Sequence, residues 1–410
     1  LTKIAIVGAG SRAYHMFSGP LTNELQGVAA LVGICDTNPE RARLMSEQCG
    51  GVPAFGDFDA MIERTKPDAV IVTTPDSLHD IFIIRALEAG CDVIAEKPMT
   101  TNAAKCRAIL DAERRTGKRV IVTFNCRFMP YVVRVKELLR EGAIGDVYGV
   151  TLEWSLDTRH GADYFRRWHR RMENSGGLLV HKSTHHFDMV NWWLDDEPEY
   201  VFANGSRQFY GPTRESRGER CATCEHKTTC AFYYDVAADA FTQSFYLGAE
   251  RHDGYYRDQC VFGDNIDIYD TMSVAVKYGR GALLTYSLNA YSPYEGWRAT
   301  FVGSKGRLEA GETYSGPGSA DTTDEIRLYN HRGELSTLRM AKSSGEHGGG
   351  DRRLRRMLFA QDVPDVLGQQ AGSRAGAMSL LIGAAANQSI LELRPVRIEE
   401  LLSAADCAMH

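Results

Sequence analysis

KIAIVGAGSRA, residues 3–13, decides the fold. An apolar run from Lys3 to Val7 suits a buried strand, and it passes directly into Gly8-Ala9-Gly10-Ser11-Arg12-Ala13, a G-x-G-x-x-A turn where a helix would begin. In a strand–turn–helix setting Gly8 permits the tight turn and Gly10 lets backbone approach a pyrophosphate. The helix N-terminus then offers its unpaired N–H groups to the phosphates. Asp36 stands just past the next apolar run, about 23 residues beyond Ala13, where a carboxylate would hold the adenosine ribose diol. Such a carboxylate repels a 2′-phosphate, so NAD is expected in preference to NADP. Arg41 and Arg43 are the cations that a folded helix could bring round to a phosphate.

Working outward, short β-rich runs alternate with longer helical stretches over the first 125 residues, as βαβ units feeding a parallel sheet do. Strands are expected at Lys3 to Val7, Ala29 to Cys35, Ala69 to Thr73, Asp92 to Ala95 and Arg119 to Thr123. Helices are expected to start near Arg12, Asn38, Asp57, Ser77 and Asn102, several behind an Asp, Asn or Ser cap. This predicts an α/β Rossmann domain, residues 1–125, with a doubly wound parallel sheet. Beyond Asn125 the rhythm changes to an α+β domain, 126–410, with a large, mainly antiparallel sheet. It opens with a helix over 130–141 and a strand over 146–155, then an irregular charged loop and a helix over 177–194. Strands follow at 266–278, 282–289, 298–302 and 307–310, and a late helix at 372–393. Stretches 311–320 and 343–350 read as loops, and a Cys-rich insertion lies near 211–262.

The 410 residues, 43% of them hydrophobic, suffice for two or three packed domains at about 150 residues each. With 47 basic against 53 acidic residues the formal charge is −6, which gives no general attraction to nucleic acid or an anionic membrane. No apolar run approaches the roughly 18 residues of a bilayer span. The chain enters a strand at once, without the sections of a signal peptide, and a cytoplasmic location is expected. Ten cysteines are too few for a disulfide scaffold in so long a chain. Cys35, Cys49, Cys91, Cys106, Cys126 and Cys407 are scattered, whereas Cys221, Cys224 and Cys230 crowd together, with Cys260 thirty residues on. Four thiolates suit a tetrahedral structural zinc, with His226 as a substitute for Cys260. Reduced thiols, a disulfide or an iron–sulfur cluster are the other readings, although the spacing matches neither common ferredoxin pattern.

The Gly8 to Ala13 fingerprint, Thr74-Pro75-Asp76-Ser77-Leu78-His79, Glu96-Lys97-Pro98, and Gly176-Gly177 followed by His185 and Asp188 together resemble the Gfo/Idh/MocA family of sugar and inositol oxidoreductases. The resemblance implies that Lys97 lies near the nicotinamide and binds the substrate hydroxyl, with Pro98 fixing the loop, often through a cis bond. Removing hydride from a carbinol carbon requires loss of the hydroxyl proton, so a cation and a base near neutrality are both needed. Lys97 and His185 fill those roles. Cofactor contacts are expected from Gly8, Gly10, Ser11, Arg12, Asp36, Thr74, Pro75, His79, Glu96, Lys97 and Asn125. The family usually has an aspartate four residues before the catalytic histidine; here that residue is His181. On a continuous helix His181, His185 and Asp188 would share one face, suiting proton relay or, for the two histidines, a metal.

Residues 159–171, RHGADYFRRWHRR, hold five arginines, two histidines and one acid. One reading is a solvated charged loop. The other has Arg166, Arg167, Trp168 and His169 over a sugar ring or its anionic substituent. Arg127, Lys182, His347 and Asp351 are further substrate candidates, and Tyr294 and Trp297 weaker ones. The function expected is an NAD-dependent oxidoreductase acting on a secondary hydroxyl of a sugar, glycoside or cyclitol. Two alternatives stand beside it: an NAD-dependent glycoside hydrolase using transient C3 oxidation with no net NADH, and a non-catalytic NAD sensor. The partner is a small molecule, with neither nucleic acid nor membrane, and the resemblance implies a homodimer or homotetramer.

Overall fold

The computed structural model describes residues 1–360 and 363–403; the tail at 404–410, with Cys407, lies outside the described residues. Six parallel strands form the first sheet: β1 (Thr2–Val7), β2 (Ala29–Cys35), β3 (Ala54–Phe55), β4 (Ala69–Val72), β5 (Asp92–Ala95) and β6 (Val120–Val122). Their order, β6-β5-β4-β1-β2-β3, puts β1 at the centre, where its last four residues and all of β4 are buried. Continuous apolar runs are what a parallel sheet covered on both faces requires. The expected caps form: the side chains of Asn38, Asp57 and Asn102 accept N–H groups of the helices they introduce. The first helix carries a π turn, Ala13–Ser18, just before Pro20, whose missing N–H interrupts the regular ladder.

The second sheet has nine strands: β7 (Val147–Asp157), β8 (Pro198–Ser206), β9 (Thr271–Tyr278), β10 (Leu283–Ser292), β11 (Gly296–Gly303), β12 (Gly306–Thr313), β13 (Thr323–Asn330), β14 (Leu335–Ala341) and β16 (Val396–Arg397). All neighbours are antiparallel except β7 with β10. Burial alternates along β9 to β11, and the covered face packs on helices Ser183–Leu194 and Ser373–Glu392. A two-residue strand, β15 (Ala371–Gly372), returns to pair with β6, so the late chain finishes the first sheet. Strands β8, β13 and β14 were not expected from the sequence. The expected strand over 266–278 starts only at Thr271.

Two further expectations are corrected. Residues 159–171 are no irregular solvated loop. Asp157 caps a helix, Thr158–Arg166, and a short 3-10 turn follows at Trp168–Arg170. The helix lies so close on β10 that a Cβ on Gly161 would stand 1.8 Å from the Ala290 carbonyl oxygen. Arg166, His169 and Arg170 are buried. The helix over 177–194 is broken at Lys182 into Leu178–His181 and Ser183–Leu194, and His181 and His185 meet different neighbours. The His181 ring lies 4.2 Å from His169, whereas His185 faces Phe124 and His347.

Candidate active site

A cleft of about 760 Å³ runs from the C-terminal ends of β1, β2 and β4 to the helices covering the second sheet. All eleven residues expected at the cofactor, Lys97 among them, line it, as do His181 and His185. Gly8 has φ +96, and a Cβ there would lie 2.7 Å from the Thr73 carbonyl, so the turn admits only glycine. The Ser11 N–H donates to the Tyr246 hydroxyl at 2.9 Å, which marks an acceptor position such as a phosphate oxygen would take. Asp36 accepts the N–H groups of Ala9 and Asn38, each at 2.7 Å, and is fixed at the end of β2. Arg41 lies 3.8 Å from Asp36 and is ion-paired with Asp253. The residues present therefore fit a dinucleotide.

At the inner end of the turn Arg12 donates to Glu96 at 2.7 Å and to Asp351 at 2.8 Å. Asn125 and His347 also bond to Asp351, at 2.5 and 3.2 Å. Burial works to raise the Asp351 carboxyl, but the His347 hydrogen bond and the Arg12 charge outweigh it and hold the group well below the usual carboxylate range. His79 spans the Thr74 and Pro98 carbonyls at 2.9 and 2.8 Å, tying the two motif loops together. The Lys97–Pro98 peptide is cis, as the resemblance implied.

Lys97, His181 and His185 sit where these loops meet the second sheet's helices. Burial pushes Lys97 down to about 8, with Asp76 and Glu96 pulling the other way; its Nζ donates to the His181 carbonyl at 3.3 Å. Burial, then the charges of Lys97 and Lys182, lower His185 well below the ordinary imidazole value, leaving a neutral ring at neutral pH. Neither nitrogen of that ring has a partner among the described residues, and Nδ1 is buried. His181 is bonded through Nδ1 to Asp76 at 2.5 Å, both side chains being almost wholly buried. Burial raises the Asp76 carboxyl, with the Lys97 charge pulling the other way, and burial lowers His181. Asp76 thus takes the place beside His181 that orients and supports an imidazole. The sequence reading passed over it, although Thr74, Pro75 and His79 of the same motif were taken.

Of the substrate candidates, Arg167, Trp168, His169, Lys182 and His347 line the cleft. Trp168 stacks on His169 at 3.8 Å. The Lys182 ammonium lies 5.5 Å over the Trp154 ring and has no hydrogen bond or ion pair among the described residues. Three candidates are corrected to structural roles. Arg127 is locked in a buried two-pronged pair with Asp188, at 2.6 and 2.7 Å, so Asp188 orients Arg127 rather than His185. Arg166 turns away to the Phe232 carbonyl and the Tyr234 ring. Asp351 stands behind Arg12 and His347. Trp297 is buried and donates to Glu312 and Tyr314, and Tyr294 does not reach the cleft. Tyr246, Tyr255 and Asp253 were missed; they come from residues 207–270, far along the chain, where no spacing announces them.

Among the described residues no group of three or more His, Cys, Asp or Glu is placed to hold a metal ion, so His181 and His185 gain no third protein ligand, and the four cysteines are not preset as a metal shell. No helix among the described residues is long and apolar enough to cross a membrane.

Comparison with known proteins decides the family. The model described as oxidoreductase family, NAD-binding Rossmann fold, matches residues 2–124, and the model of its C-terminal alpha/beta domain matches residues 136–398. The chain belongs to the Gfo/Idh/MocA oxidoreductases. Within the Gfo/Idh/MocA proteins it is 39% identical to YteT of Bacillus subtilis over 98% of this chain and 99% of the relative, which is named as an oxidoreductase without a stated substrate. It is 31% identical to D-glucoside 3-dehydrogenase of Escherichia coli over 47% of this chain and 54% of that protein. Among solved Gfo/Idh/MocA structures, the WlbA dehydrogenase of Bordetella pertussis, in complex with NADH and UDP-GlcNAcA, superposes with a TM-score of 0.65 at 19% identity, over 97% of this chain and 98% of that one. That likeness shows the shared fold.

Proposed function

We propose that this protein is an NAD-dependent oxidoreductase acting on a secondary hydroxyl of a sugar, glycoside or cyclitol that carries an anionic group. The carrying observation is that Lys97 and the partnerless ring of His185 share one cleft with Gly8 and Asp36, beside the unpaired ammonium of Lys182. Gly8, Gly10, Ser11 and Asp36 would hold NAD, which when bound supplies the hydride acceptor or donor. Lys97 polarises the substrate oxygen and stabilises the developing alkoxide, while His185 takes the hydroxyl proton. Lys182 receives the anionic substituent, and Trp168 covers an apolar sugar face. The D-glucoside 3-dehydrogenase and inositol 2-dehydrogenase names among the relatives support the substrate class.

One observation favours a second reading, the NAD-dependent glycoside hydrolase. The Asp76–His181 pair is a second acid–base centre distinct from His185. Such an enzyme needs one base for the hydroxyl and another group to take the C2 proton and return it after the aglycone leaves and water adds. A panel of sugars, uronates and glycosides separates the two by NADH absorbance, aglycone release and C2 deuterium uptake from heavy water. Stoichiometric NADH without aglycone release supports the dehydrogenase. Aglycone release and C2 deuterium with no NADH establishes the hydrolase, and no turnover of any compound refutes both. The expected homodimer or homotetramer is checked by light scattering, where a monomer would refute it.

A further inference from the structure

Residues 207–270, between β8 and β9, carry the four clustered cysteines and reach across to the cofactor end of the cleft. We propose that Cys221, Cys224, Cys230 and Cys260 bind one zinc ion, and that this centre fixes the segment as a strap over the dinucleotide site.

The backbone brings the four together from well-separated positions. Arg220 and Gln259 form an antiparallel bridge, with the Cys221 N–H on the Asp258 carbonyl at 2.8 Å and the Cys260 N–H on the Glu219 carbonyl at 2.9 Å. Cys221 and Cys260 therefore lie on neighbouring extended pieces. A 3-10 turn, Cys221–Thr223, returns the Cys224 N–H to the Cys221 carbonyl, and a second turn brings the Cys230 N–H to His226. These turns hold the C-x-x-C pair and Cys230 within one compact loop. All four cysteines line a single cavity of about 20 Å³, together with Phe232, Val261 and Phe262; His226 does not line it. That is room for one atom-sized guest. No disulfide joins the four. As placed they form no ligand shell, since among the described residues no group of three or more His, Cys, Asp or Glu stands ready to hold a metal, so binding requires the four to move inward.

The charge of a tetrathiolate also has partners. Arg220 and Lys227 border the cavity. Arg166, which donates to the carbonyl of the cavity-lining Phe232, and Arg170 each keep a buried, unpartnered Nε–H. Donors around sulfur ligands are what holds a metal thiolate centre in place.

A rigid link runs from this knuckle to the cofactor. Arg220, next to Cys221, is paired with Asp258 at 2.7 Å and with Glu250 at 2.9 Å. Glu250 opens the short helix Glu250–Asp253, and Asp253 pairs with Arg41 beside Asp36. The Ala249 carbonyl accepts from Asn38 at 3.0 Å, and the Tyr246 hydroxyl sits on the Ser11 N–H. Loss of the metal should therefore loosen the groups that border the dinucleotide. This second arm rests on the NAD reading of the cleft; the metal arm does not.

The test is elemental analysis of the full chain purified under reducing conditions, with about one zinc per chain expected. Cobalt exchanged into the protein should show thiolate-to-metal charge transfer and tetrahedral d–d bands. Cys224→Ser should lose the metal and Cys230→His should retain it. If Cys224→Ser does not fold, the wild-type cobalt spectrum, abolished by chelator and restored by zinc, carries the same information. A metal-free chain with four freely titrating thiols or two disulfides overturns the centre, as does zinc that persists undiminished in Cys224→Ser. Removing the metal should weaken NAD binding about tenfold, a typical coupling between linked sites. NAD affinity that is unchanged when the zinc is removed overturns the strap while leaving the centre, and a zinc-loaded chain that binds no NAD at all refutes the cofactor reading instead.

Discussion

Replacing Lys97 by arginine should remove the alkaline limb of the pH profile of kcat/KM. In the wild type burial brings the Lys97 ammonium down to about 8, and the cationic form is the one that stabilises an alkoxide. With a value of 8, about nine in ten lysines are charged at pH 7 and about one in ten at pH 9, so kcat/KM at pH 10 should lie about a hundredfold below its plateau. The acidic side has the opposite sign: His185 acts as the neutral ring, and its lowered value keeps it neutral well below 6.5, so the plateau should extend below that pH. A guanidinium does not titrate in this range, so Lys97→Arg keeps whatever activity its larger head permits, with a flat alkaline side. Lys97→Met removes the cation altogether and should cost about 10²–10³ in kcat. The assay is initial-rate NADH formation from pH 5 to about 10.5, the ordinary lysine value, on the best substrate of the panel, with NAD saturating. A wild-type limb near 10.5, or one near 8 that survives in Lys97→Arg, would refute the assignment.

Lys182→Gln should raise KM for a uronate by about tenfold or more while leaving that for the matching neutral sugar within about twofold, and equal effects on both would remove the anionic-substrate reading. Asp188→Ala strands the buried Arg127 guanidinium and should destabilise the fold by about 3–5 kcal/mol in urea unfolding, whereas a loss of activity at full stability would return Asp188 to the reacting groups. Asp36→Ala should weaken NAD by about tenfold and strengthen NADP, as followed by quenching of protein fluorescence; an unchanged preference would place the discrimination at Arg41.

The cofactor half was legible because it is local. A dinucleotide turn needs glycine at a fixed offset from a strand end and a carboxylate one βα unit later, and those offsets are written in the chain at Gly8, Gly10 and Asp36. Lys97 and His185 were implied by the resemblance, through motifs whose residues lie close together in sequence, and both line the cleft. The charged run 159–171 misled because composition reports polarity, not neighbours: Gly161 lets its helix press on β10, and the fold buries Arg166, His169 and Arg170. Strands β13 and β14 were missed because they lie at an exposed sheet edge, where alternation is weak. The role of Asp76 has no sequence signal because its partner, His181, lies 105 residues away.

The sequence by itself determined the βαβ order and the glycine turn, which follow from short-range periodicity and spacing, while its short motifs carried the resemblance that implied the family and the candidate reacting groups. Tertiary structure alone decided which charges are free and which are spent. Arg127 and Lys182 look alike as basic residues of the substrate domain, yet one is bound to Asp188 and the other stands unpaired in the cleft. Pairing depends on distances between segments far apart in the chain, and burial sets the protonation of what remains, so neither could be read before the chain was folded.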